Sequence, residues 1–180
     1  MFEFVDQPDL KTKRLHLRKP VMADADNVAR CLNDFDIAKM LVRVPWPYTP
    51  EGANWWISQW LEGRQNGWCF ALAERDNPEF LIGVVSIEPM NKSHGIGWWL
   101  DHNFWSMGYM SEALQGIILH AQATHPQAIL TAGAIVDNPV SLHIQMKLGF
   151  AVIGQEKAHC LSRNMSVDLI KTQLVLTKIK

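Results

Sequence analysis

Residues 95 to 114 read G-I-G-W-W-L-D-H-N-F-W-S-M-G-Y-M-S-E-A-L, a strand-like run that passes through Gly108 into a helix-like one. A helix that starts directly behind a strand aims its first free backbone N–H groups at one point, and its dipole adds partial positive charge there. Such a start holds a phosphate, or only water where no ligand comes. The common nucleotide loops are not its relatives: no P-loop lysine follows, and no G-x-G-x-x-G is present. The run N-P-V-S at 138–141 opens another helix, with Asn138 suited to cap it and Pro139 to be its first residue, so capping accounts for both. Glu88 follows an apolar run, where it either faces a site or is a solvated turn acid. Cys31, Cys69 and Cys160 are odd in number and far apart, which fits neither a disulfide framework nor a paired-cysteine zinc site. No spacing of His, Cys and carboxylates resembles a metal site, so no metal is expected.

These residues need elements to position them. Leu15 and Leu17 alternate with Arg14, His16 and Arg18, a half-buried strand that ends by Pro20. Ala25, Val28, Cys31 and Leu32 recur at helical spacing behind Asp24 as the expected N-cap. A second helix starts at Thr49–Pro50 with the stripe Ala53, Trp56, Ile57, Trp60 and Leu61; Trp55 points away from it. Strand-like runs at 68–73, 80–87 and 95–100, separated by short polar turns, predict an antiparallel meander. The pattern then changes to a helix carrying Met110, Ala113, Leu114, Ile117, Ile118 and Ala121, a strand at 129–136, and a helix from Pro139 closed by Gly149. Two last strands, at about 150–155 and 168–177, flank a polar loop holding Cys160 and Arg163. The expected fold class is α/β: one domain over residues 1–180, its mixed sheet part meander and part β-α-β-α, with helices on both faces.

Composition bounds the function. With 17 Lys plus Arg against 18 Asp plus Glu, the net charge of −1 provides no broad field for phosphates, which argues against nucleic acid as partner. Glu3, Asp6 and Asp9 stand where a signal peptide needs basic residues, and the longest nearly apolar stretch, 128–136, falls short of the ~20 residues that span a bilayer. The expectation is a cytoplasmic protein with reduced thiols and no membrane partner; a homodimer stays open. Eight Trp against two Tyr mark either a heavy core or an aromatic pocket.

The segment W-S-M-G-Y-M-S-E-A-L resembles the cofactor motif R/Q-x-x-G-x-G/A of the GNAT superfamily of N-acetyltransferases, in the form used by its Rim-type, ribosomal-protein-alanine acetyltransferase-like branch. L-K-T-K-R-L-H-L-R at 10–18, W-P-Y-T-P-E at 46–51 and N-P-V-S-L-H-I-Q-M-K-L-G-F at 138–150 agree with it, so the resemblance covers almost the whole chain in order. It implies acetyl-CoA as co-substrate and a primary amine as acceptor, either a protein N-terminal α-amine or a small-molecule amine.

Position by position, the resemblance implies that the amides of Ser106, Met107, Gly108, Tyr109, Met110 and Ser111 hold the pyrophosphate. Trp105, Ser106 and Met110 depart from the family pattern, and Met110 should point into the core. The main chain of Trp98, Trp99 and Leu100 would part from the strand at 129–136 and pair with the pantetheine arm, with the two indoles on opposite faces. Asn138 would touch the same arm. The family's proton donor, often Tyr, has its slot at Gln145, which is no acid; Ser141, one turn earlier, is the remaining candidate to meet the leaving sulfur. The amine would attack the thioester directly, with Glu88 as candidate base and His94, His143 and Asp137 as weaker ones. Trp46, Tyr48 and Trp55 are the expected acceptor-pocket walls. A different class of function fits the departures at Met110 and Gln145: a CoA-binding regulatory or interaction module with little catalysis.

Overall fold

The alternation at Leu15–Arg18 forms a strand as its period requires, with Leu15 and Leu17 buried and His16 and Arg18 half-buried. The computed structural model describes residues 7–178; of the acidic start, Glu3 and Asp6 lie outside them. In chain order the elements are β1 (Leu10–Lys11), β2 (Leu15–Arg18), α1 (Ala25–Leu32), α2 (Phe35–Ala38), α3 (Pro50–Leu61), β3 (Trp68–Glu74), β4 (Asn77–Met90), β5 (Ser93–Leu100), α4 (Tyr109–Thr124), β6 (Ile129–Ile135), α5 (Pro139–Lys147), β7 (Ala151–Cys160) and β8 (Met165–Val175). They build one eight-stranded sheet in the order β1-β2-β3-β4-β5-β6-β8-β7. From β1 to β5 the sheet is an antiparallel meander, and α4 crosses over so that β6 lies parallel to β5. The expected α/β class, mixed sheet and helices on both faces are all present.

Two large cores sandwich the sheet, and a smaller cluster of Ile135, Cys160, Val167 and Leu169 lies at its β6, β8 and β7 end. On one face Met110, Ala113, Leu114 and Ile117 of α4 pack on Leu15, Leu17, Phe70, Leu72, Val85, Ile87 and Ile96, and Ile144 and Leu148 join from α5 and its end. On the other, Val28, Ala29 and Leu32 of α1 and Ala53 and Ile57 of α3 cover Cys69, Ala71, Leu81 and Val84. Each of these large side chains contributes about 1.5–3 kcal/mol by leaving water.

Several expectations need correction. Asp24 does not cap α1 through its side chain; it is buried and takes a two-pronged ion pair from Arg18 (2.7 and 2.8 Å) and the amide of Val21 (2.8 Å), tying β2 to the entry of α1. Leu61 closes the α3 stripe on paper but is half exposed, because the helix ends there. The four-residue α2 was missed; it is too short to show a period, and its signal is the Asp34 carboxylate capping the Asp36 amide at 2.8 Å. The last strands are longer than read, and Cys160 is the buried end of β7, not a loop residue. Among the described residues no helix is long and apolar enough to cross a membrane.

Candidate functional site

The site is built where β5 leaves β6. The two strands pair only at His94–Leu130 and Gly95–Thr131, after which their main chains diverge. From Ile96 to Leu100, β5 is paired on its β4 side alone, a stretch of half-used backbone at the centre of a sheet. On one lip of this opening stands the turn into α4, and on the other the start of α5.

Backbone conformation shapes the turn into α4. Ser106 (φ 62°) and Gly108 (φ 78°) both adopt left-handed geometry, which costs little at glycine and more at serine. The first amide of α4 to find a carbonyl behind it is that of Glu112, on Gly108 (3.1 Å), so the amides before it point out of the helix start as donors. Met110 is buried in the core as expected, so its side chain does not block them. Trp105 stacks on His102 (centroids 4.1 Å apart) and its indole N–H donates to the Leu100 carbonyl at 2.8 Å. That bond occupies the carbonyl at the end of β5. Since the Asp101 amide bonds to the Ile82 carbonyl of β4, Trp99 spends its main chain on β4. The main chain of Ile96 and Trp98 is what is left to meet an extended ligand, a correction to the expectation for Trp99.

Sequence reasoning missed what braces the turn. The Glu112 carboxylate accepts from the Thr12 hydroxyl (2.6 Å), the Arg14 amide (2.7 Å) and Arg14 Nε (2.7 Å), while Arg14 Nη1 donates to the Met107 carbonyl at 2.8 Å. The same guanidinium lies 4.3 Å from the centre of the Tyr109 ring, whose hydroxyl donates to Glu74. Burial would raise the Glu112 carboxyl, but these donors outweigh it and hold it below the ordinary carboxylate range. The stability this adds is present above the ordinary glutamate pKa and is lost as pH falls through the lower folded value. Removing Arg14 should loosen the turn and leave the Glu112 charge facing an incoming anion. Arg14→Ala is therefore expected to weaken CoA binding about tenfold in titration calorimetry, the effect of roughly 1.4 kcal/mol; unchanged affinity would show that the turn holds itself.

On the opposite lip, Asn138 Oδ1 accepts the Ser141 amide at 3.1 Å, so the capping role is real and the Asn138 side-chain NH2 stays available. Ser141 is half-buried, and Gln145 is wholly buried, with its amide nitrogen 3.2 Å from Ser141 Oγ.

The two tryptophans of β5 do face opposite ways: Trp98 packs on the α4 side and Trp99 on the α1/α3 side. On the Trp99 side the sheet floor is open, because Gly97 is exposed and Gly95 half-buried in a central strand. Glu88 lies opposite Gly95 in β4, only a quarter exposed, beside the Ser86 hydroxyl (3.3 Å), and Arg43 reaches it at 3.0 and 3.2 Å. It is a strand residue facing this floor, not a solvated turn acid. The weaker base candidates stand elsewhere: Asp137 is paired with Arg163 at 2.7 and 3.1 Å, His143 is exposed on α5, and His94 sits at the closed end of the strand parting.

The expected acceptor walls come from two elements, the loop before α3 and α3 itself. Trp46 donates its indole N–H to the Asn33 carbonyl (3.0 Å) and packs on Phe35 (4.9 Å), and the Tyr48 amide bonds to Asn33 Oδ1 (3.3 Å), so both belong to the loop bound to the end of α1. Trp55 is 63% exposed on the outer side of α3. All three cysteines are buried; burial pushes the Cys31 thiol up to about 12 and that of Cys69 well above its ordinary value, so neither is a ready nucleophile. Among the described residues one cluster, Asp34, Asp36 and His102, is close enough to share a metal, but Asp34 caps α2 and Asp36 pairs with Lys39.

Comparison with known proteins bears on the family and the fold. A family model described as an acetyltransferase (GNAT) domain matches residues 14–151. The ribosomal-protein-serine acetyltransferase of Escherichia coli is 39% identical over 77 residues, 41% of this chain; the match spans only 43% of that enzyme's length. An uncharacterized N-acetyltransferase p20 of Bacillus licheniformis is 25% identical over 169 residues, 92% of this chain and 95% of the relative. The crystal structure of a ribosomal-protein-S5-alanine acetyltransferase from Vibrio fischeri superimposes with a TM-score of 0.78 at 20% identity, over 97% of this chain and 100% of the other, which is a likeness of fold.

Proposed function

This chain belongs to the GNAT acetyltransferase family, and from that premise we propose that it moves the acetyl group of acetyl-CoA to the α-amine of a protein N-terminus. The observation that carries the reading is the parting of β5 from β6 beyond Gly95, with the outward amides at 106–111 on its lip. An extended amide-bearing arm fits a half-paired strand, and a pyrophosphate fits a helix start. Acetyl-CoA has both, and supplies an activated thioester.

The residues divide the work by position. The turn at Ser106–Ser111 grips the phosphates, the main chain of Ile96 and Trp98 lines up the arm with Trp99 holding β5 to β4, and the Asn138 side chain meets it from the start of α5. Leu100 closes the strand end and is tied down through Trp105. A β5 amide near Trp99 or Leu100 meets the oxygen on which negative charge develops. The acceptor approaches over Gly95 and Gly97, where Glu88 takes the proton that the amine sheds as the new C–N bond forms. The C–S bond then breaks with its electron pair on sulfur, which the Ser141 hydroxyl meets with a hydrogen bond. An α-amine with pKa near 8 is partly neutral at pH 7, so a modest base suffices. Trp46 and Tyr48 border the acceptor from their loop, and Trp55 serves as an outlying contact for a peptide chain.

The ribosomal-protein acetyltransferases among its relatives favour a protein end over a free amine. Peptides beginning with Ser or Ala should gain one acetyl group on the α-amine, located by mass spectrometry, and N-terminally blocked peptides carrying lysine should gain none. Turnover on small amines with silence on every peptide would move the acceptor to a small molecule. Ser141→Ala is expected to cut kcat roughly 10- to 100-fold while the Kd of CoA stays within about twofold; unchanged turnover would remove Ser141 from the mechanism.

A further inference from the structure

A line of polar groups runs beneath the start of α5. Gln145 and Thr172 of β8 are both fully buried. Thr172 Oγ1 donates to Gln145 Oε1 at 2.7 Å, and Gln145 Nε2 donates to Ser141 Oγ at 3.2 Å. The two lengths set the direction of the amide: 2.7 Å is ordinary for an O–H donor and short for an N–H donor, while 3.2 Å suits an N–H. Leucine or methionine would fill this space without the cost of burying an amide. Gln145 is a buried amide at a place where packing alone does not call for one.

A serine hydroxyl carries one proton and two lone pairs. The Ser141 backbone is fixed by Asn138, and one lone pair of its oxygen is committed to the Gln145 N–H. Its proton therefore cannot point at Gln145. We infer that Gln145, locked by Thr172, is a positioning residue that turns the Ser141 proton outward to the sulfur that leaves. This rests on the reading of Ser141 as the hydrogen-bond donor to that sulfur. Gln145 stands in the slot of the family's usual acid and acts by holding its neighbour's proton in place.

The test measures kcat and CoA affinity for Gln145→Met and Gln145→Glu, each alone and with Ser141→Ala. Gln145→Met keeps the volume and loses the donor; it should lower kcat about tenfold, leave the Kd of CoA within about twofold, and have no further effect once Ser141 is gone. Gln145→Glu places a carboxyl between two hydroxyls, where burial raises its pKa. Protonated, it donates to Ser141 as the amide does; ionised, it accepts the serine proton and turns it inward. Its kcat relative to wild type should stand near one at about pH 6 and fall as pH rises. Thr172→Val, which frees the amide to rotate, gives a second readout of the same loss should Gln145→Met fold poorly. The inference is overturned if Gln145→Met costs as much with Ser141→Ala as without it, or if Gln145→Glu follows the wild-type pH profile. A drop in Ser141→Ala with none in Gln145→Met defeats this inference alone, whereas no drop in Ser141→Ala defeats both it and the role given to Ser141.

Discussion

Glu88→Gln is expected to lower kcat roughly 100- to 1000-fold and leave acetyl-CoA affinity unchanged, because in the proposed mechanism it removes the proton acceptor on the acceptor side of the thioester. Three features of the fold set this expectation. Glu88 lies in β4 across from Gly95, on the face where Gly97 leaves the sheet floor bare. The Ser86 hydroxyl fixes one of its oxygens at 3.3 Å. Its partner Arg43 is 80% exposed, and a pair of that kind contributes about 0–1 kcal/mol, so an incoming ammonium displaces it at little cost. The rate of Glu88→Gln should then rise with pH only as the acceptor amine loses its own proton, near pH 8 for an α-amine. A variant with full activity at neutral pH would leave proton removal to water and reduce Glu88 to a partner of Arg43.

The second large effect concerns the phosphate turn. Gly108 sits at φ 78°, and a Cβ there would meet Arg14 Nη2 at 3.5 Å, an ordinary contact. Space is therefore not the obstacle. A β-branched residue is strained in left-handed geometry, and the turn would relax by rotating the amides that it presents. Gly108→Val should raise the Kd of acetyl-CoA by about 100-fold or more, since two misdirected charge-assisted hydrogen bonds cost roughly 3–6 kcal/mol together. The melting temperature should fall only a few degrees, as the strain of about 1–3 kcal/mol is local. Calorimetric titration with near-wild-type affinity would show that the grip lies outside this turn.

The chain's wording carried the layout far, and physical reasons separate what it carried from what it did not. Period-2 and period-3.6 patterns are written by burial, so β2, the meander and α4 were legible from apolar spacing alone. The turn into α4 was legible because glycine between a strand and a helix serves a backbone need, while its phosphate role was only what the family resemblance implies. Arg14 and Glu112 were not, since a brace between residues 98 positions apart leaves no local mark. Glu88 looked like a turn acid because the β4–β5 hairpin extends three residues beyond the apolar run, to Met90. Trp46 and Trp55 were placed together by the family layout the resemblance implies, and no local pattern shows that one is clamped by Asn33 while the other is 63% exposed on α3. The Gln145–Thr172 contact spans two elements, and only folding gives the buried amide its partners on β8 and at Ser141.

The measurement that meets the central claim most directly is thiol release from acetyl-CoA, followed with and without an N-terminal Ser or Ala peptide. Direct transfer over the Glu88 face predicts release only when the amine is present, one CoA for each acetylated α-amine, with no acetyl group left on the protein when amine is withheld. CoA that raises the melting temperature while every amine tried stays unacetylated would contradict it, and would leave a CoA-binding module in place of an enzyme.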